Sequence, residues 1–285
     1  MSLVVEPPAH VRSTFGLRES VGVALDGTWD RGWRYDDVVL APVADNARAA
    51  WSAKIRESLD VDGVRLARPV RSSDGRYVVS GWHAESFITG TPEPRYDEVV
   101  SVAVRLHAKT ATLERPRFLA QSVTAPYSDV DVFTVADQSA WADDPLQAAR
   151  GHGMLESVTE DSARSMALIS QLAGLRRPVH TPDQVVHGDL FSTVLFAGAA
   201  APGIVDFTPY WRPAPWAAAV VVVDAISWGG ADAGLISRWS VLPEWPQMLL
   251  RALMFRLAVH ALHKRSTPGV LPGLAYTAEL VRTVL

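Results

Sequence analysis

Two short apolar runs, Val185-Val186-His187-Gly188-Asp189-Leu190 and Gly203-Ile204-Val205-Asp206-Phe207, each deliver an aspartate at their end. Their β-branched residues favour strands. The spacing of seventeen residues from Asp189 to Asp206 is enough for a loop, a strand, a turn and a returning strand. A hairpin of that kind carries both carboxylates to one edge. There, one carboxylate can orient or deprotonate a hydroxyl while the other holds Mg²⁺ on a triphosphate. Taken alone, the pair is equally consistent with two turn or helix caps. The runs that follow, residues 216–228 and 243–265, are apolar and helical in pattern. The small strand cluster must therefore sit among helices.

The first 90 residues have a different texture. Residues 8–16 read as a short helix, 19–25 as a strand, 25–35 as a glycine-containing turn and 37–42 as a strand. Asp45 or Asn46 can cap a helix reaching Leu59. Residues 63–82 read as a hairpin turning at Ser72-Ser73-Asp74-Gly75. After residues 86–90, Ser-Phe-Ile-Thr-Gly, helical spacing takes over from Pro94 to Thr110. Residues 111–153 are irregular, with short helices at most. Helices are expected again at 160–175 and 273–285. The predicted class is α+β, with a β-rich domain over 1–88 and a mostly helical domain over 89–285.

Composition narrows the function. Hydrophobic residues make up 48% and charged residues 20%, which permits a sizeable core. A net charge of −4 gives no electrostatic reason to expect nucleic acid or an anionic membrane as partner. With no cysteine, disulfides, thiolate catalysis and Cys-bound metals are excluded. The first ten residues lack a basic segment followed by an apolar one, so no secretory signal is expected. The apolar run Trp216–Val223 is far shorter than the roughly 20 residues a bilayer needs. A soluble, cytoplasmic protein is expected. Only Lys54, Lys109 and Lys264 are lysines, so any role that needs one has few candidates.

Taken together, the motifs resemble the aminoglycoside-phosphotransferase-like family, relatives of choline kinase and the protein kinases. Residues 185–196, VVHGDLFSTVLF, resemble its catalytic loop, and 203–207, GIVDF, its metal-binding strand. Residues 86–90, SFITG, resemble its interlobe segment, and 105–110, RLHAKT, the end of the following helix. Asp224, within VVVVDAIS, stands where the family has an aspartate that braces the catalytic loop. The order and spacing agree from about residue 19 to 260. The resemblance implies a bilobal protein-kinase-like fold, with a five-stranded antiparallel N-lobe and a larger helical C-lobe. It implies ATP or GTP with Mg²⁺ as cofactors and a small-molecule hydroxyl as acceptor. It assigns Asp189 as the catalytic carboxylate, His187 as the structural histidine beneath it, and Asp206 as the main Mg²⁺ ligand. Ser86, Phe87 and Ile88 fall in the nucleotide-binding segment.

Three positions depart from the family pattern. The second metal ligand is an asparagine there and Thr193 here, a weaker oxygen donor. The nucleotide lysine of the third strand is replaced by Ala41, which cannot touch a phosphate. The helix glutamate that pairs with that lysine is replaced near Lys54. Lys54 is therefore a candidate phosphate contact, with a solvated helix residue as the plain alternative. Arg31, Gly32 and Arg34, in the turn where the family covers the phosphates, are rivals. Two readings stay open: a small-molecule phosphotransferase, or a degraded pseudokinase that binds a nucleotide, metabolite or protein without turnover. From Phe207 to Leu285 there are 4 acids and 7 lysines and arginines, a poor setting for a polycationic aminoglycoside.

Overall fold

The computed structural model describes residues 5–29, 32–120, 129–150 and 159–285. In chain order the elements begin with α1 (Ala9–Thr14), β1 (Gly22–Ala24), β2 (Trp33–Tyr35), β3 (Val38–Pro42) and α2 (Asn46–Ser58). Next come β4 (Arg65–Leu66), β5 (Pro69–Val70), β6 (Val78–Val79), β7 (Trp82–Ser86), α3 (Tyr96–Thr110), α4 (Asp129–Trp141), α5 (Pro145–Arg150) and α6 (Glu160–Ala173). The chain ends with β8 (Asp183–His187), α7 (Leu190–Thr193), β9 (Val194–Leu195), β10 (Gly203–Ile204), β11 (Pro209–Pro213), α8 (Ala214–Ser227), α9 (Leu235–Arg238), α10 (Trp245–Leu262) and α11 (Val270–Arg282). Packing divides them into two units. One holds residues 1–93, 105–112 and 192–209; the other holds 94–104, 113–191 and 210–285.

In the first unit, six strands form a sheet ordered β1-β2-β3-β7-β5, with β6 also paired to β7. One face of this sheet meets α1 in a core of Val11, Phe15, Tyr35, Leu40, Trp82 and Ala84. The sheet thus has six strands where five were expected, and its pairing differs too. The turn at Ser72–Gly75 does not join a hairpin: β5 and β6 both pair with β7. The tight hairpin turns instead at Ser80-Gly81, whose φ angles of 50° and 79° suit a two-residue hairpin turn. Trp33–Tyr35, expected as part of a turn, is β2, paired with β3. Asp45 caps α2 as expected, accepting the amides of Ala47 and Arg48. A separate three-stranded sheet is ordered β4-β10-β9.

In the second unit, α10 is the central helix, packed by α4, α6, α8 and α11. Helix α8 is buried from Pro215 to Ile226, apolar on every side apart from Asp224. A helix of this kind belongs in a core. The segment expected to be irregular, residues 111–153, contains the thirteen-residue α4. Its buried Val132, Val135, Ala136, Ser139 and Ala140 recur at helical spacing. The small residues among them gave a weak apolar signal, and Asp137 interrupts it. That aspartate is itself buried and is held by Arg212 of β11 at 2.7 Å. Among the described residues no helix is long and apolar enough to cross a membrane.

Candidate functional site

The His-Gly-Asp loop lies in the second unit, at the end of β8. Strand β8 pairs with β11, and Val185, Val186 and His187 are buried. Gly188 is required by contact: a Cβ there would stand 2.4 Å from two ring carbons of Tyr210. That ring cannot easily yield, because it packs edge-on against Trp216 and Phe255 at centroid distances of 5.4 and 5.8 Å. His187 is fully buried, and its Nδ1 accepts the backbone N–H of Asp189 at 3.1 Å. A neutral imidazole so placed carries its proton on Nε2. The histidine thus fixes the loop from below.

The Asp189 side chain keeps 43% of its exposure. Its Oδ1 accepts from Nη2 of Arg256 at 3.1 Å. The same guanidinium donates through Nε to Asp224 Oδ1 at 2.7 Å and through Nη2 to Oδ2. Asp224, on α8, is completely buried. Burial raises its pKa to about 7, with Arg256 opposing and Asp189 assisting. Burial disfavours the charge on Arg256 as well, yet Asp224 and Asp189 hold its pKa above the ordinary arginine value. Asp224 therefore reaches the His-Gly-Asp loop through a cation. Arg256 was missed in the sequence. The available signal was an arginine within the apolar run of α10, where a buried charge must be paired.

Thr193 and Asp206 belong to the first unit and flank the β9–β10 hairpin, Thr193 just before β9 and Asp206 two residues after β10. Ile204 pairs with Val194, and the Val205 amide donates to the Thr193 carbonyl at 3.2 Å. Thr193 is thereby brought beside the residue that precedes Asp206. Asp206 is exposed and accepts from the Thr208 hydroxyl at 2.8 Å, while Thr193 is 7% exposed. Phe207 meets Trp51 of α2 at 6.1 Å.

The sheet face that turns away from α1 carries Val39 and Ala41 of β3 beside Glu85 and His83 of β7. Arg56 of α2 comes down onto this face and pairs with Glu85 at 2.5 Å, both side chains nearly fully buried. The strand therefore supplies the carboxylate and the helix the cation, the reverse of the family's lysine and glutamate. His83 is pushed below the usual histidine pKa, first by burial; Arg56 acts in the same direction, and Glu85 and Asp206 oppose it. Lys54 is exposed. Two residues from Arg56, it lies about 200° around the helix. The structure does not bring it to the face that holds Ala41.

Of the nucleotide-segment candidates, Ser86 accepts the Arg68 amide on its hydroxyl at 2.9 Å, and the Phe87 amide donates to Asp37 at 2.7 Å. Ile88 is 6% exposed. Gly90 has φ 135°, and a Cβ there would meet the Phe196 carbonyl oxygen at 2.6 Å, so this segment passes against the hairpin only as glycine. Gly32 closes the preceding turn, its amide donating to Trp29 at 2.7 Å. Arg34 lies over the Phe87 ring at 3.9 Å. Arg31 lies outside the described residues.

No family model matches the chain, and no curated protein matches it. Solved structures do. An aminoglycoside phosphotransferase from Alicyclobacillus acidocaldarius is 16% identical, with a TM-score of 0.58 over 98% of this chain and 94% of that one. A microcompartment-associated aminopropanol kinase is also 16% identical, with a TM-score of 0.56 over 96% and 94%. A spectinomycin phosphotransferase, solved with ADP and spectinomycin, is 12% identical, with a TM-score of 0.56 over 96% and 95%. The chain has the protein-kinase-like α+β fold of these small-molecule phosphotransferases, as its motifs implied.

Proposed function

We propose that the protein transfers the γ-phosphoryl group of ATP or GTP to the hydroxyl of a small molecule. The observation that carries this reading is the setting of Asp189. It is half exposed, so a substrate can reach it, yet the histidine bond to its amide and Arg256 fix its position. A carboxylate held in this way is suited to orient an acceptor hydroxyl and take its proton. Phosphoryl transfer asks little covalent chemistry of a protein and mostly positioning and charge neutralisation.

The donors at Asp206 and Thr193 fit Mg²⁺. An exposed carboxylate beside a hydroxyl-bearing residue offers hard oxygen atoms, and Mg²⁺ is typically held by one or two carboxylates plus phosphates and waters. The metal would neutralise charge on the phosphates. Asp206 would hold it and Thr193 would support it.

A second reading, a nucleotide- or metabolite-binding module without turnover, is favoured by the sheet face. Ala41 supplies no charge there, and Arg56 is committed to Glu85. The test is thermal unfolding with ATP or GTP, with and without Mg²⁺. Stabilisation that needs Mg²⁺ and disappears in Asp206→Asn supports the metal-nucleotide site. Stabilisation independent of both favours the module.

A further inference from the structure

Apart from the α1 core, the first unit has a small apolar cluster of Ala67, Ile88, Leu195 and Val205. These residues come from four places: the end of β4, the segment after β7, β9, and the residue after β10. The indole of Trp29 packs on this cluster. The ring also stacks on Phe87, with centroids 5.6 Å apart and planes 28° from parallel. It is a flat aromatic body lying on an apolar floor, bordered by the Ser86–Ile88 segment.

The 3₁₀ turn Gly27–Trp29 contains no buried residue. It begins at Gly27, with φ 61°, and a Cβ at that position would meet nothing within 4 Å. Its bonds close within the turn: Gly32 donates to Trp29 at 2.7 Å, and Leu25 donates to Gly32 at 2.8 Å. The turn joins β1 to β2, whose pairing of Ala24 with Trp33 holds its base, and the indole packs on the cluster and on Phe87. Moving the ring off its floor leaves that base in place.

We propose that Trp29 is an internal stand-in for a nucleotide base: its indole covers the floor of Ala67, Ile88, Leu195 and Val205, and a nucleotide binds there only when the Gly27–Trp29 turn moves aside. This rests on the reading of Ser86–Ile88 as the nucleotide segment. An aromatic base offers the floor and Phe87 the same flat apolar surface, so base and indole exclude each other. If the open form is about a tenth of the population, the apparent affinity is about tenfold below the intrinsic one.

The experiment is calorimetric titration of the full chain with ATP and Mg²⁺, comparing wild type, Trp29→Phe and Trp29→Ala, alongside methyl NMR of Ile88, Leu195 and Val205. The expected result is that Trp29→Ala binds at least about tenfold tighter than wild type, with Trp29→Phe between them. ATP should shift the methyl resonances of the cluster in every variant that binds. A wild type that binds as tightly as Trp29→Ala, or more tightly, overturns the stand-in and leaves the nucleotide reading intact. ATP binding that leaves those methyl resonances unmoved does the same. If neither protein binds ATP or GTP, although the methyl spectrum of Trp29→Ala shows that the indole has left a folded cluster, both the stand-in and the nucleotide reading fall.

Discussion

Arg256 holds two aspartates of the second unit with one guanidinium, Nη2 lying 3.1 Å from Asp189 and Nε 2.7 Å from Asp224. A partly exposed carboxylate is thereby coupled to a carboxylate sealed in the core. Arg256→Met should strand Asp224 without its cation. Removing one partner of a buried pair typically costs about 3–5 kcal/mol. Chemical denaturation should show a loss of that size, and Asp224→Asn, which leaves Arg256 its bond to Asp189, should cost less. Equal losses would mean that Arg256 stabilises by packing rather than by pairing.

The same pair sets a pH dependence. Burial holds Asp224 near a pKa of about 7, above the ordinary aspartate value of 3.8. Between those values the folded state retains a proton that the unfolded state has lost, so this residue's contribution to stability falls as pH rises from about 4 to 7. Asp224→Asn should flatten the unfolding free energy over that window. A profile as steep as that of wild type would move the effect to other groups.

Gly188→Ala should destabilise the protein without touching any charge. Its Cβ would overlap the Tyr210 ring, which Trp216 and Phe255 hold in place. Overpacking of this kind costs about 1–3 kcal/mol. Tyr210→Ala in the same chain should recover part of that loss; additive losses would show that the ring is not what excludes the methyl group.

Much of this site was legible in the sequence because its signals are local. Val185-Val186 before His-Gly-Asp marked a strand end, Asp45 marked a helix start, and the resemblance singled out Asp224 within its valine run. What was not legible depends on pairing between distant segments. Arg256 is 67 residues from Asp189. The Arg56–Glu85 pair joins a helix to a strand 29 residues on, and the sequence pointed to Lys54, not to Arg56. Strands β4, β5 and β6 have two residues each, too short for periodicity to show which strand they pair with.

Lys54→Met should change ATP affinity by less than about twofold, since Lys54 is exposed on the far side of α2 from Ala41. Glu85→Ala, by contrast, should destabilise the first unit by about 3–5 kcal/mol, because it leaves Arg56 buried and unpaired. Calorimetry and denaturation of the two variants check both. A tenfold affinity loss in Lys54→Met would return the phosphate contact to that residue.

Kanamycin-like aminoglycosides should not be phosphorylated. All four acids between Phe207 and Leu285 are engaged. Asp224 is held by Arg256 and Asp232 by Arg238; Glu244 accepts from the His180 and Thr181 amides, and Glu279 meets Arg282. The two most exposed, Asp232 and Glu279, sit beside arginines, a poor setting for a polycationic sugar. Robust turnover of such a sugar by the pure protein would contradict this.

The most direct measurement is Mg²⁺-dependent loss of the γ-phosphate from ATP and GTP, followed by phosphorus NMR with a panel of small amino alcohols and sugars as acceptors. Wild type should transfer phosphate to at least one acceptor. Asp189→Asn should lower the rate by about 10²–10⁴-fold, the usual worth of a positioned acid or base, and Asp206→Asn should abolish the Mg²⁺ dependence. A transfer rate unchanged in Asp189→Asn, or no transfer to any acceptor by a wild type that binds Mg²⁺-nucleotide, would contradict the phosphotransferase account.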